Sequence, residues 1–348
     1  MTVSTYNMAD LFRLVDVSTP VNTHFMDTYF KQEVRFYTPE FSLDTIDKKK
    51  RLAPFCSPLA QGVPMKKEGY STRSLKPAYI KPMQQIDPHT VFTRKAGEQF
   101  GPIIVSPAAR EQALIAETFL DLRQQVDLRF EWMCREAIVF GKIIVDGDHY
   151  PNGAVEIDFG RNASLTSVTG YQWSDQTNAN PMKDLQAQML KSQKLSASST
   201  TRIYFGTEAW DAFTSHPEVL KAIKVLDRGT TASFDPTSGT QDGEGGFQFQ
   251  GTLFGGKVEL WTCFDFYMDN TGAEVQALDP KKVVGVGNIS GVQAYGPIIN
   301  ANAKYEPIPV FPSQWIPNSP AITHCQVESA PLMVPANPNA SWVLTVLS

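Results

Sequence analysis

Three side chains with oxygen ligands lie within one glycine-rich turn of the sequence. Asp146, Asp148 and Asn152 fall inside the segment 146–153, which also contains two glycines. Such ligands suit Ca²⁺, but the ligand order and the closing glutamate of an EF-hand loop are absent. Aspartate and glycine are also common in plain hairpin turns. The sequence therefore favours a hairpin turn over a metal site.

The residues that could act as nucleophiles or acid–base groups are dispersed along the chain. These residues are His24, His89, His149, His216, His324, Cys56, Cys134, Cys263 and Cys325. Their spacing fits neither a zinc knuckle nor a CxxC redox pair. The histidines are expected to be surface or hydrogen-bonded core residues, and the cysteines to be buried reduced thiols. We therefore expect no catalytic residue and no metal.

The glycines that come nearest to a nucleotide-binding loop do not fit one. Gly285, Gly287 and Gly291 are spaced GxGxxxG, one residue longer than the dinucleotide fingerprint. The chain also lacks the GxxxxGK[ST], HExxH and GxSxG patterns of P-loop, zinc-protease and hydrolase sites. The expectation is a turn at 285–291 and no cofactor.

One enzymatic alternative stays open. A mixed α/β segment at 200–302 could hold a site built from Asp211, His216 and Asp265. This hypothesis rests on the analogy that mixed domains often host active sites. A pocket that gathers these three side chains would support it.

Composition limits the other classes of function. The chain has 348 residues, 42% of them hydrophobic, which is enough for about two domains with substantial cores. Its formal net charge of −5 offers no basic surface for sequence-specific nucleic-acid binding. No run approaches the roughly 20 apolar residues of a membrane span, and no secretory signal precedes the fold. We expect a protein folded in the cytoplasm.

A proline-rich segment dominates the first third of the chain. Six prolines lie between Leu52 and Thr90, so this segment is expected to be neither a helix nor a central strand. It predicts an extended arm or an edge ribbon that cannot cover its own apolar side chains. Those side chains include Leu59, Val63, Tyr70, Tyr79 and Ile80. A neighbouring subunit is the expected cover.

The segment before it is short and aromatic. A helix is predicted from Pro20, capped by Thr19, and it carries Phe25, Tyr29 and Phe30. Aromatic side chains at this density need cover that so short a segment does not supply. Contacts with a neighbouring subunit are expected here too.

A long helix is the strongest local prediction. Ser106 is a good N-cap, Pro107 suits the first helical position, and Gly141 follows the end at Phe140. A hairpin at 142–159 and a helix from Pro181 follow. After residue 200 the pattern mixes strands with a helix that Thr207 would cap, and the chain ends in a strand pair at 322–333 and 341–347.

Several segments together resemble the lambda-type major capsid protein of tailed bacteriophages, in the phage capsid protein E family. They are Lys76-Pro-Ala-Tyr-Ile-Lys-Pro82, Asp87-Pro88, Ile203-Tyr-Phe-Gly-Thr-Glu-Ala-Trp-Asp-Ala-Phe213, Val286-Gly-Asn288, Tyr295-Gly296, Glu328-Ser-Ala-Pro-Leu-Met333 and Asn337-Pro338. They occur in the family's order over nearly the whole chain.

The resemblance implies an α+β fold of the Hong Kong 97 type. Residues 1–48 would form an N-terminal arm and 49–98 an extended E-loop hairpin. Residues 99–199 would form the long spine helix and the first part of the peripheral (P) domain. Residues 200–302 would form the axial (A) domain, and 303–348 the C-terminal return of the peripheral domain.

The resemblance also implies a function and partners. The family's subunits self-assemble into hexamers and pentamers of an icosahedral shell, around a scaffolding protein and a portal, in the host cytoplasm. The mature virion capsid encloses double-stranded DNA without sequence-specific binding and is clamped by a decoration (cement) protein. Contacts between subunits would come from the E-loop and arm: Phe25, Tyr29, Phe30, Leu59, Val63, Lys66, Lys67, Tyr70, Tyr79 and Ile80. An encapsulin-like cargo shell is the alternative with the same fold.

Some shells of this fold are locked by an isopeptide bond between a lysine and an asparagine. Lys66 or Lys67 could in principle meet Asn337 or Asn339. The lambda type resembles shells held by a separate decoration protein instead, so solvated lysines are the expectation.

Overall fold

The protein is seen in a computed structural model that describes residues 21–46, 52–53, 55–58, 61–62, 70–92, 106–147, 154–226, 240–241, 246–269 and 272–348. Helices in these ranges are α1 (His24–Tyr29), α2 (Pro88–Phe92), α3 (Pro107–Val139), α4 (Pro181–Ser196), α5 (Thr207–Ser215) and α6 (Pro217–Leu226). Short 3₁₀ turns are Ala163–Leu165, Ala301–Ala303 and Pro338–Ala340.

The strands of the first half are β1 (Gln32–Arg35), β2 (Phe41–Ile46), β3 (Tyr70–Leu75), β4 (Met83–Ile86), β5 (Lys142–Val145), β6 (Val155–Asp158) and β7 (Thr166–Val168). Those of the second half are β8 (Arg202–Phe205), β9 (Thr240–Gln241), β10 (Phe247–Leu253), β11 (Val258–Cys263), β12 (Phe266–Met268), β13 (Glu274–Gln276), β14 (Lys282–Val286), β15 (Gly291–Tyr295), β16 (Phe311–Trp315), β17 (Thr323–Glu328), β18 (Pro331–Pro335) and β19 (Ser341–Thr345). The chain is therefore α+β, as expected.

The long helix α3 confirms the strongest local prediction. The Ser106 side chain accepts a hydrogen bond from the backbone N–H of Ala109, Pro107 opens the helix, and Gly141 follows it with φ of +69°. A helix of this length reaches roughly 50 Å. Its buried stripe packs against β17 and β18 on one side and α1 on another. The helix is thus the spine along which the other elements are arranged.

A seven-stranded mixed sheet forms the second large element, in the order β7-β19-β14-β8-β11-β10-β9. Its central strand β8 is buried on both faces. Ile203 and Phe205 face a core covered by α4, α5 and α6, whereas Tyr204 faces a core shared with α3 and α1. Alternation with a period of two therefore places a hydrophobic layer on each side of the sheet.

The remaining strands form smaller sheets. These are β1-β15-β18, β16-β17-β4, and the pairs β2–β3, β5–β6 and β12–β13. The β5–β6 pair confirms the hairpin predicted after the long helix. β4 lies at the edge of its sheet, as the prolines around it require.

The prediction of a terminal strand pair is wrong. Residues 322–333 divide into β17 and β18, which join different sheets, and β19 pairs with β14 and β7 inside the large sheet. All three strands are almost fully buried, so their side chains do not reveal which partners they have. Burial without alternation hides the pairing from the sequence.

Three local expectations also need correction. Gly206, not Thr207, is the N-cap of α5, and Thr207 is its first residue. The helix α2 occupies the end of the proline-rich segment, because Pro88 suits a first helical position. In the N-terminal segment, α1 begins at His24, and Pro20 lies outside the described residues.

Candidate assembly surfaces

Strands β2 and β3 form a two-stranded hairpin that carries exposed apolar side chains. We call these strands and the described residues between them the ribbon. Phe41 pairs with Leu75 and Ile46 pairs with Tyr70 at its two ends. Beyond the paired strands, Leu52 and Phe55 are fully exposed, at 95% and 105%. A single chain therefore leaves large apolar side chains on the ribbon in water.

The ribbon is held by the core at Leu75, which is buried, and more weakly farther along its described residues. Arg73 Nη1 lies 3.0 Å from Oδ2 of Asp158 in the β5–β6 hairpin, and Lys76 Nζ lies 2.9 Å from a carboxylate oxygen of Glu40. All four side chains are exposed, and exposed ion pairs contribute at most about 1 kcal/mol. These contacts guide the ribbon but do not fix it strongly.

The chain that leaves the ribbon is held firmly by backbone pairing. Ile80 and Ser329 form an antiparallel bridge, with N–H···O distances of 2.8 and 2.9 Å. Ala78 N donates to Pro331 O at 3.1 Å. The hydroxyl of Tyr79 donates to the carboxylate of Glu328. The base of the ribbon, residues 76–86, is therefore part of the body.

The aromatic N-terminal segment is covered by this chain itself. Phe25 and Phe30 are 1% and 0% exposed and belong to the core between α3 and the large sheet. Tyr29 is half-buried, and its hydroxyl lies 3.1 Å from that of Tyr204. His24 Nε2 lies 3.0 Å from the same Tyr204 hydroxyl. The helix α1 thus links the spine helix to the large sheet.

A carboxylate of the spine helix caps α1 from outside. Glu131 accepts the backbone N–H groups of Phe25 at 2.7 Å and Met26 at 2.9 Å. The N-cap residue Thr23 makes no capping bond, and its hydroxyl donates to the carboxylate of Asp27 at 2.6 Å. Glu131 therefore satisfies donors that a short helix leaves unpaired at its start.

Burial changes the protonation of that carboxylate. Desolvation raises the pKa of Glu131 from 4.5 to about 7, and the two backbone N–H donors lower it by less. Nearby charges act in both directions, Asp27 raising this pKa and Arg135 lowering it. Glu131 consequently changes charge near neutral pH.

The structure describes only part of the predicted contact set. Leu59, Val63, Lys66 and Lys67 lie outside the described residues. The backbone of Tyr70 begins β3. These residues stay predictions.

The two asparagines considered for a covalent link are engaged within the chain. Asn337 Nδ2 donates to Ser196 O at 3.2 Å, and Asn339 Oδ1 accepts from the backbone N–H of Asn162 at 2.8 Å. Each side-chain amide thus makes a hydrogen bond within the chain, beside the 3₁₀ turn at 338–340.

The residues of the enzymatic alternative are not brought together in one pocket. Asp211 is exposed on α5. His216 is fully buried after α5, and its Nδ1 accepts from the backbone N–H of Glu218 at 3.3 Å. Asp265 instead lies in the field of Arg135 on the spine helix. Each residue thus faces a different part of the fold.

The other groups considered for metal binding or catalysis also do not come together in a site among the described residues. Among the described residues, no three His, Cys, Asp or Glu side chains converge to hold a metal ion, and Asp148 and Asn152 lie outside those residues. Burial raises the pKa of the Cys263 and Cys325 thiols to about 12. Cys56 is exposed, which corrects the expectation of four buried thiols.

Two glycines predicted to form a turn are required for close packing. A Cβ at Gly285, inside β14, would lie 2.1 Å from the Trp342 ring. A Cβ at Gly291, at the start of β15, would lie 2.6 Å from the Phe30 ring. The spacing of glycines thus reflects aromatic neighbours that are distant in sequence.

Sequence reasoning missed two carboxylates that bond to distant parts of the fold, the half-buried Glu131 and the fully buried Glu328. Both stand among apolar residues, Glu131 beside the buried stripe of α3 and Glu328 at the end of a buried strand. A charge in such a position is the signal that could have marked them, because buried charges require partners.

Comparisons with known proteins agree with this architecture. The pattern of the family described as phage major capsid protein E matches residues 7–346. The major capsid protein of Enterobacteria phage P21 is 26% identical over 92% of this chain and 93% of its own length. That of Escherichia phage lambda is 25% identical over 97% of this chain and 98% of its own.

A solved structure extends the likeness to three dimensions. The crystal structure of a prophage capsid protein from E. coli CFT073 has a TM-score of 0.72 and 25% identity, and covers 98% of this chain and 99% of its own. In the described ranges, no helix is both long and apolar enough to cross a bilayer.

Proposed function

The chain belongs to the phage major capsid protein E family, and on that premise we propose how it builds a shell. It is a lambda-type major capsid protein with the Hong Kong 97-type fold, and copies of it assemble into the virion capsid. The matches to phage capsid proteins over more than nine-tenths of the chain favour this function over an encapsulin-like cargo shell. The single observation that carries the assembly mechanism is the exposed apolar ribbon.

The ribbon lies over a neighbouring subunit and buries its apolar side chains there. Full burial of a leucine or phenylalanine side chain contributes about 1.5–3 kcal/mol. Leu52 and Phe55 together would contribute about 3–6 kcal/mol to each contact, before the cost of ordering the ribbon. Leu59, Val63 and Tyr70 add to this surface in the same way.

The polar part of the contact follows from the same segment. Lys66 and Lys67, which lie outside the described residues, would meet the neighbour as solvated side chains without forming an isopeptide bond. Tyr79 and Ile80 act indirectly, because they fasten the ribbon base to the body. Phe25, Tyr29 and Phe30 anchor α1 to the core of the same chain. They would thereby fix the point at which the N-terminal arm meets the body.

Each contact is repeated around a closed shell. Hexamers and pentamers of the subunit form an icosahedral shell, with a scaffolding protein and a portal guiding assembly in the host cytoplasm. A decoration protein clamps the mature shell, which encloses double-stranded DNA without reading its sequence. Repetition makes weak contacts strong in sum.

The test is shell formation by the purified chain and by a ribbon variant. The double variant Leu52→Asp/Phe55→Asp should keep a folded subunit, because both side chains are exposed, and should form no shells. The matched control Leu52→Met/Phe55→Leu keeps the apolar surface and should assemble. Electron microscopy and sedimentation count the shells, and circular dichroism checks the fold.

Three results would contradict parts of the proposal. The function is wrong if the wild-type chain, expressed with its scaffolding protein, gives no closed particles. The ribbon mechanism is wrong if the charged double variant assembles as well as the control. A gel of mature particles that shows covalent ladders would contradict the solvated state of Lys66 and Lys67.

A further inference from the structure

A buried carboxylate lies where the ribbon joins the body. Glu328, the last residue of β17, is 0% exposed. Its oxygens accept from the Tyr79 hydroxyl, from Asn300 Nδ2 at 2.7 Å and from Gln326 Nε2 at 2.5 Å. Lys81 Nζ lies 3.7 Å from Oε1 and reaches it from the half-exposed side. The charge is thus surrounded by donors, as its burial requires.

The donors come from separate parts of the chain. Tyr79 and Lys81 belong to the ribbon base, whereas Asn300 precedes the 3₁₀ turn at 301–303. The Tyr79 hydroxyl also accepts the backbone N–H of Ile299 at 3.2 Å. One carboxylate therefore fixes the ribbon base against two other segments, and it does so directionally, which an apolar contact would not.

The network lies at the pivot of the ribbon. After the network, the chain continues as β4 (residues 83–86), which pairs with β17. On the near side of the network, the chain enters β3, where Leu75 is buried in the core and the Arg73–Asp158 ion pair farther along the strand is exposed. A small rotation at residues 79–81 would therefore move Leu52 and Phe55 through a large arc.

We propose that Glu328 is a positioning residue for assembly, which acts through Tyr79 and Lys81 to set the direction in which the ribbon leaves the body. This inference rests on the proposed function of the ribbon and deepens it. It differs from a purely stabilising role, because it requires that the ribbon direction change when the network is broken while the body stays folded.

The variant Tyr79→Phe is the sharpest probe. It keeps the ring, which packs against the cluster around Phe311, and removes only the hydroxyl. Lys81→Met removes the positive charge at this position, whereas Lys81→Arg keeps it. Tyr295→Phe is the matched control, because that hydroxyl donates to Gln293 Oε1 and not to Glu328.

Two measurements are made on each variant. The exposed thiol of Cys56 is spin-labelled together with a cysteine introduced at the exposed Tyr171, and the distance distribution between the labels reports the ribbon direction. The buried Cys134, Cys263 and Cys325 stay unlabelled in the folded subunit. Sedimentation then gives the subunit concentration at which shells form.

Tyr79→Phe and Lys81→Met should broaden or shift the distance distribution. Tyr79→Phe should also raise the concentration needed for shells at least about tenfold, as expected for the loss of one hydrogen bond to a charged group. Lys81→Met should raise it by less, because Lys81 makes a half-exposed ion pair at 3.7 Å and no hydrogen bond with Glu328. Lys81→Arg and Tyr295→Phe should match the wild type in both measurements.

An unchanged distance distribution in Tyr79→Phe would overturn the proposal, even if the variant melts at a lower temperature. A changed distribution with an unchanged assembly concentration would overturn the link to assembly. If the wild-type chain forms no shells, the proposed function fails, while the distance measurement still decides whether Glu328 directs the ribbon.

Discussion

The half-buried carboxylate of Glu131 should give the subunit a distinctive dependence of stability on pH. Its pKa is about 7 in the folded chain, against an ordinary value of 4.5, chiefly because it is desolvated between α3 and α1. At a pH between these two pKa values, Glu131 holds a proton in the folded chain and has released it in the unfolded chain. The stability that the proton on Glu131 gives to the folded chain is therefore complete below about pH 4.5 and is lost as the pH rises through about 7.

The magnitude follows from the same two values. At about 1.4 kcal/mol for each tenfold change in proton affinity, the difference lowers the free energy of unfolding by about 3 kcal/mol between acid and neutral pH. The variant Glu131→Gln cannot ionise and should lack this decrease. Because an amide nitrogen cannot accept a hydrogen bond, the variant should also lose one of the two caps on Phe25 and Met26, which costs about 1–3 kcal/mol at all pH values.

Urea unfolding of the unassembled subunit, followed by tryptophan fluorescence, measures both effects. The free energy of unfolding of the wild type minus that of Glu131→Gln should fall by about 3 kcal/mol as the pH rises from about 4.5 to about 8, and so reach zero or become negative. Glu111→Gln is the matched control on the same helix, since Glu111 accepts only from the Thr323 hydroxyl at 3.2 Å among its described bonds. Its curve should run parallel to that of the wild type. Parallel curves for Glu131→Gln would refute the reasoning.

Three further variants test the packing. Gly285→Ala should destabilise the subunit by about 1–3 kcal/mol or more, because its Cβ would lie 2.1 Å from Trp342, whereas Gly170→Ala, which meets nothing within 4 Å, should change little in the same urea titration. Ser106→Ala should cost about 1 kcal/mol by removing the cap of α3, and equal amide exchange of the first turn in both proteins would contradict this. Phe119→Ala, at a fully buried position of the spine helix, should cost about 3–5 kcal/mol in the unfolding free energy, and a loss below about 1 kcal/mol would show that the site is not packed as described.

Local signals in the sequence were enough for the elements whose ends are marked by particular residues. Ser106, Pro107 and Gly141 bound the spine helix because capping and left-handed geometry depend on the residues themselves. The prolines before Thr90 likewise restrict the ribbon base to an edge, since they remove backbone donors whatever their surroundings. These effects act within a few residues and can be read directly.

Partners that are distant in the chain could not be predicted in this way. Glu131 caps a helix more than a hundred residues earlier, and β19 lies between β7 and β14 in the large sheet rather than pairing with its neighbour in sequence. The same limit explains the aromatic segment. Phe25 and Phe30 needed cover, as expected, but the cover is the chain's own spine helix and sheet. Composition shows that a side chain must be buried, and only the tertiary fold decides against what.

The pairing of β4 with β17 also bears on the order in which parts of the chain fold. Ile86 lies opposite Thr323, and Gln32 in β1 lies opposite Val292, so both pairings close very long loops. Contacts of such separation form late, because their loop entropy is lost before they stabilise the chain. We therefore expect the base that aims the ribbon to form among the last parts of the body to fold. Incomplete subunits carry the same apolar side chains but cannot present them in the right direction, and we expect them to be left out of the growing shell.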